Sequence, residues 1–93
     1  MRFSFHTDAL LDLQSIVEFH TRNSSPDYAR RVVAAVYAAL ELRSDNELPM
    51  LARYNPTDKN YEIVLPEYGL IVAYQFVHGT LVVLSVMSDR QRR

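Results

Sequence analysis

No cysteine occurs among the 93 residues, which excludes a disulfide framework and any thiolate nucleophile or ligand. Two glycines and four prolines leave little room for linkers. With no low-complexity stretch and no internal repeat, residues 1–93 read as one domain. No apolar run approaches the roughly 18 residues of a membrane span, and Met1-Arg2-Phe3-Ser4-Phe5 opens directly into structure without a signal-peptide core. The expected location is therefore the cytoplasm, with which the absence of cysteine agrees. Excess charge is also missing. Ten Lys and Arg against eleven Asp and Glu give a formal net charge of −1, so no global field recommends nucleic acid, and sequence-specific binding to it by this chain alone is not expected. There is no Gly-rich phosphate loop, Ser-His-Asp set or paired-carboxylate motif. His6, His20 and His78 share no metal-ligand spacing, so neither a metal nor a cofactor is expected.

What is abundant is β-forming apolar sequence near the C-terminal end. Tyr61 to Leu65, Leu70 to Val77 and Leu81 to Met87 are rich in Val, Ile, Leu, Tyr and Phe. Pro66-Glu67-Tyr68-Gly69 and His78-Gly79 separate them as turns. Gly79 supplies a positive φ, and His before Gly suits a two-residue primed turn, so the three runs form an antiparallel meander. Alternation puts Leu70, Val72, Tyr74, Phe76, Val82, Leu84 and Val86 on one face. Ile71, Ala73, Gln75, Val77, Val83, Ser85 and Met87 fall on the other. Neither face is polar, so both require cover.

Arg2 to His6 alternates as a short first strand with Phe3 and Phe5 on one side. Thr7 is the expected cap of a first helix, with Asp8 in its first turn and an apolar stripe of Leu10, Leu13, Val17 and His20. Arg22 to Pro26 is a break of about four residues, and Ser25-Pro26 restarts a long second helix through a capping Ser and a Pro at the first helical position. Ala29, Val32, Val33, Val36 and Leu40 form its stripe; Leu13, Val17, Val33, Val36 and Leu40 are the expected helical core. The helix decays near Arg43 to Asn46, Pro49 blocks continuation, and Glu47 to Lys59 reads as loop. So short a connection makes the helices an antiparallel hairpin, which can cover one sheet face and not both. The expected fold is α+β, two-layer, β-α-α-β-β-β, with the hairpin on one face of a small, mainly antiparallel sheet and the second face left for a partner.

Taken in order, DALLDLQSIVEF, SSPDYARRVVAAVYAAL, ELPMLARY and YEIVLPEYGLIVAYQFVHGTLVVLSVMSDRQR resemble the ParE/RelE superfamily of type II toxin–antitoxin toxins, also described as plasmid stabilisation proteins. The carrying features are Ala-x-x-Asp-Leu in the first helix, Ser-Pro opening the second, a Pro some ten residues past its last apolar turn, and a Tyr-rich hairpin entering a Val-rich last strand. The resemblance spans nearly the whole chain. It implies a small toxin wrapped by a cognate antitoxin, in a heterotetramer or larger complex, on the face of Val64, Ile71, Ala73, Gln75, Val83, Ser85 and Met87. RelE-like members are ribosome-dependent mRNA endonucleases, whereas ParE-like members are said to poison DNA gyrase and carry no known catalytic centre. Where the ribonucleases tend to have Arg before the Glu of the first meander strand, Arg early in the next, and His or a basic residue after the last, this chain has Tyr61, Leu70-Ile71 and Ser88-Asp89, with Arg90 the only possible match to the last. It therefore resembles the ParE-like branch more closely, with the endonuclease as the alternative and an inactive or self-associating member as a third.

Arg53 and Lys59 on the long loop, with Arg90, Arg92 and Arg93 in a basic tail, are the candidate contacts to a protein target. Were the chain an endonuclease, Arg53, Lys59 and Arg90 would be its candidate catalytic groups. Solvated charge is the plainer explanation for all of them. Tyr61, Tyr68 and Tyr74 could stack on bases, although aromatics in a meander are usually cross-strand pairs. Arg30 and Arg31 open the second helix, where they meet an antitoxin carboxylate or only water.

Overall fold

In the computed structural model, residues 3–46 and 53–88 are described. They form β1 (Phe3–Phe5), α1 (Thr7–Asn23), α2 (Pro26–Asn46), β2 (Arg53–Asn55), β3 (Asn60–Leu65), β4 (Leu70–Val77) and β5 (Thr80–Ser88). Two helices pack on one face of a five-stranded sheet of order β1-β5-β4-β3-β2. Only the β1–β5 pairing is parallel; the other three are antiparallel.

Local chemistry sets the helix ends. The cap of α1 is His6 rather than Thr7: its Nδ1 accepts from Asp8 N–H at 3.2 Å, and its carbonyl accepts from Ala9 N–H and Leu10 N–H. His6 N–H also donates to the Val83 carbonyl at 2.8 Å, so this one residue ends the β1 ladder and starts the helix. At the other joint Ser25 Oγ accepts from Tyr28 N–H at 3.1 Å, with Pro26 as the first helical residue. Only Ser24 and Ser25 lie between the helices, a tighter turn than the expected four residues. Ala9, Leu13, Ala29, Val32, Val36 and Leu40 are buried, the alanines allowing close approach. Val17 and Val33, expected in the core, are half-buried.

In the sheet, His78 and Gly79 take φ of 51° and 80°, both positive as a type I′ turn requires. The stretch expected to be loop contains a strand. Arg53–Asn55 pairs with Asn60–Glu62, too short a segment for alternation to declare itself. Its turn is built by Asn55, whose Oδ1 accepts from Thr57 N–H and Asp58 N–H, and it is closed by Lys59 at φ 57°. Pro49 and the rest of 47–52 lie outside the described residues.

The facing of β5 also departs from strict alternation. Ala73 pairs with Ser85 but Tyr74 pairs with Val83, leaving Leu84 as the extra residue of a bulge. One inserted residue exchanges the two faces of everything before it. Leu81 and Val83 therefore enter the core at 0% exposure in place of the expected Val82 and Leu84, which are half-buried on the opposite side. Beyond the bulge Val86 faces inward as expected.

α1 holds this irregularity. β1 accompanies β5 only as far as Val83, and just past the bulge the Asp12 carboxylate accepts from Val86 N–H at 3.1 Å. Val86 is almost fully buried, so removing its acceptor carries the cost of an unsatisfied donor. Asp12→Ala is expected to lower stability by about 1–3 kcal/mol in urea unfolding, whereas Glu18→Ala on the exposed side changes it by less than about 0.5 kcal/mol. Equal, small losses for both would mean that the Asp12 bond does not hold the bulge.

Candidate functional site

The residues expected to receive a partner do not form one open floor. Val64 is 42% exposed, and Gln75, Ser85 and Met87 are half-buried. Ile71 and Ala73 are only 3% and 4% exposed with no partner chain present. Val83 is on the other face, in the core beneath the helices, because of the bulge. The register aligns Val64 with Ile71 and Met87, and Glu62 with Ala73 and Ser85, giving an accessible rim around a buried centre.

At one end of this face lies a polar corner that sequence reasoning missed. Glu62 is 3% exposed; Arg53 Nε donates to its Oε1 at 3.0 Å and Asn55 Nδ2 to its Oε2 at 3.3 Å. Asn60, mostly buried, stands two residues before Glu62 on β3 and pairs with Asn55 across the ladder. A buried carboxylate needs such partners to stay charged, so the guanidinium of Arg53 has a structural duty, fastening β2 to β3. No motif announces this pair, since Arg53 and Glu62 meet only once the short β2 hairpin has formed. Lys59, the other candidate cation of this hairpin, is exposed on its turn. Arg90, Arg92 and Arg93 lie outside the described residues.

On the helix-facing side a row of tyrosines crosses the sheet. Tyr61 stacks on Tyr74 at 5.6 Å and 25°, and Tyr54 meets Tyr61 edge-on at 5.2 Å. Tyr68 packs against Tyr28 of α2 at 5.8 Å. These are the cross-strand and core contacts expected of meander aromatics. Burial pushes the Tyr74 phenol above its ordinary pKa of 10.0, opposed by the nearby Arg43 guanidinium and reinforced by Tyr61. Its hydroxyl is buried with no hydrogen-bond partner among the described residues. No group of His, Asp and Glu that could hold a metal occurs among them either.

No family model matches the sequence, and no curated protein matches it. A solved structure does: a chain of the chromosomal ParDE TA system from P. aeruginosa, with a TM-score of 0.78 at 13% identity over 95% of both chains. The chain has a ParE-like fold. At that identity, what the two chains share is the arrangement of the hairpin on the five-stranded sheet. The expected α+β, two-layer order is thus present, extended by β2. No helix among the described residues is long and apolar enough to cross a membrane.

The revised facing makes a direct test. Val83→Asp is expected to abolish the cooperative thermal transition followed by circular dichroism, because it places an unpaired charge in the core. Val64→Asp, on the opposite face and exposed, should shift Tm by no more than a few degrees. A folded Val83→Asp variant would return Val83 to the outer face.

Proposed function

We propose that this chain is the toxin of a type II toxin–antitoxin system, ParE-like in action, neutralised by a cognate antitoxin and working in the cytoplasm by holding a protein target, DNA gyrase being the first candidate. The observation that carries the reading is the ParE-like fold, matched over 95% of both chains to a ParDE system. The rim of Val64, Gln75, Ser85 and Met87 is the proposed antitoxin contact, with Ile71 and Ala73 forming its closed floor. Lys59 on its exposed turn, together with Arg90, Arg92 and Arg93, is the proposed contact to the target. Arg53 is a weaker candidate, because its guanidinium is committed to Glu62.

The chemistry disfavours the endonuclease alternative. Cleaving a phosphodiester requires groups that move a proton and others that offset charge at phosphorus. At the positions where ribonuclease relatives tend to carry them stand Tyr61, packed between Tyr54 and Tyr74, and the buried Ile71. A proton-transferring group contributes about 10²–10⁴-fold and an oxyanion-type stabiliser about 10²–10³-fold, so lacking both leaves little activity.

Induced expression is expected to stop growth, and co-expression of the antitoxin encoded beside it to restore growth. Primer extension on translated mRNA should show no new cuts, while gyrase supercoiling should be inhibited or cleaved DNA should accumulate. Codon-positioned cuts that vanish in Arg90→Ala would establish the endonuclease instead. Lys59→Ala should weaken target inhibition without lowering Tm; Arg53→Ala is the poorer probe, since losing it also strands the buried Glu62 carboxylate.

A further inference from the structure

The outward side of α1 carries an exposed pattern that the core and the proposed partners leave open, although the Asp8 carboxylate lies 3.8 Å from His6 Nδ1 and the Phe19 ring meets that of His20 edge-on at 5.2 Å. Asp8, Leu11, Ser15, Phe19 and Arg22 are all exposed, Leu11 and Phe19 at 56% each. At 100° per residue they occupy one stripe about 80° wide. Their spacings are 3, 4, 4 and 3, which is the seam spacing of a coiled coil and reads the same in both directions. Ser15 is the midpoint: Leu11 and Phe19 lie four residues to either side, Asp8 and Arg22 seven.

From this symmetry we infer that α1 is a self-association surface whose occupant is α1 of a second copy, antiparallel about a two-fold axis at Ser15. Under that axis Leu11 of each copy meets Phe19 of the other, and Asp8 meets Arg22, so both apolar and charged contacts are self-complementary, as an isologous dimer demands. The Asp8–Arg22 span of about 21 Å falls within the helix, and opposing helix dipoles in the antiparallel arrangement add to the match. The small Ser15 at the crossing lets the backbones approach. With helix axes about 8–10 Å apart and Cα atoms about 2.3 Å from each axis, the two Ser15 Cα atoms come within roughly 4–5 Å, within reach of a disulfide.

Because the native chain has no cysteine, one introduced thiol reports the geometry without background. Ser15→Cys, mildly oxidised at high protein concentration, should give a disulfide-linked dimer, while Thr21→Cys, exposed but off the stripe, should not. Sedimentation of the unmodified chain should show mass rising toward the dimer with concentration, and Phe19→Ala should weaken the association about tenfold or more, since each dimer loses two anchors. Asp8→Arg alone or Arg22→Asp alone should dissociate the dimer, and the two together should restore it, a rescue that loss of folding cannot imitate. A chain monomeric at all concentrations, equal crosslinking at positions 15 and 21, or failure of the double exchange to restore association would overturn the assignment. So would a monomeric chain in which Phe19→Ala lowers only affinity for antitoxin, which would give the stripe to the antitoxin. None of these measurements reads growth or gyrase, so their outcome is separate from that of the toxin reading.

Discussion

The hydrogen bond from Val86 N–H to the Asp12 carboxylate is a directional tie between the two layers of this domain. Apolar contacts between a helical hairpin and a sheet tolerate sliding, since burial is non-directional. A charge-assisted bond from a helix side chain to one strand amide tolerates little. It falls just beyond the Leu84 bulge, where β1 no longer runs beside β5. Which β5 residues face the helices is decided at the bulge, and Asp12 holds the strand immediately past it. In Ala9-Leu10-Leu11-Asp12-Leu13 the parts divide: Ala9 lets the helix approach, Leu13 packs, and Asp12 holds β5 just past its bulge.

How legible this was depended on the range of the interaction. Ser25-Pro26 and His78-Gly79 act within a few residues, and both joints form as their chemistry dictates. The meander follows from periodicity, as do Leu13 of α1 and Ala29, Val32, Val36 and Leu40 of α2, whereas Leu10, expected in the α1 stripe, is exposed. β2 escaped because three residues cannot show a period, and its strand character comes from Glu62 and Asn60 across the ladder. The bulge escaped for a different reason. Val82-Val83-Leu84 is apolar throughout, so either facing satisfies the pattern, and only the pairing with β4 chooses between them. His6 replaced Thr7 as cap because its ring nitrogen reaches Asp8 N–H, a role more often filled by oxygen side chains.

The same distinction bears on the site. The second face was expected to be open because two helices cannot cover two sides of a sheet. They do not, yet Ile71 and Ala73 are buried by the chain itself. What is left for a partner is a half-exposed rim of mixed polarity, closer to the surface of a transient complex than to a hydrophobic core cut in half. The corner of Arg53, Asn55 and Glu62 adds a fixed polar boundary to that rim. Since one fold hosts unrelated activities, the architecture by itself does not separate the candidate mechanisms.

The parallel pairing of β1 with β5 gives the chain a temporal order during synthesis. Phe3, Ser4 and Phe5 find their ladder partners only in Leu81, Val82 and Val83, and Asp12 finds its own only in Val86. The helical hairpin and the β2–β3–β4 segments consist of local contacts and can form as they leave the ribosome. The sheet cannot close, nor can α1 lock to it, until nearly all of the domain has emerged. Translation thus withholds the closed sheet until β5 is made, and a chain stopped short of β5 presents no assembled sheet face to a partner.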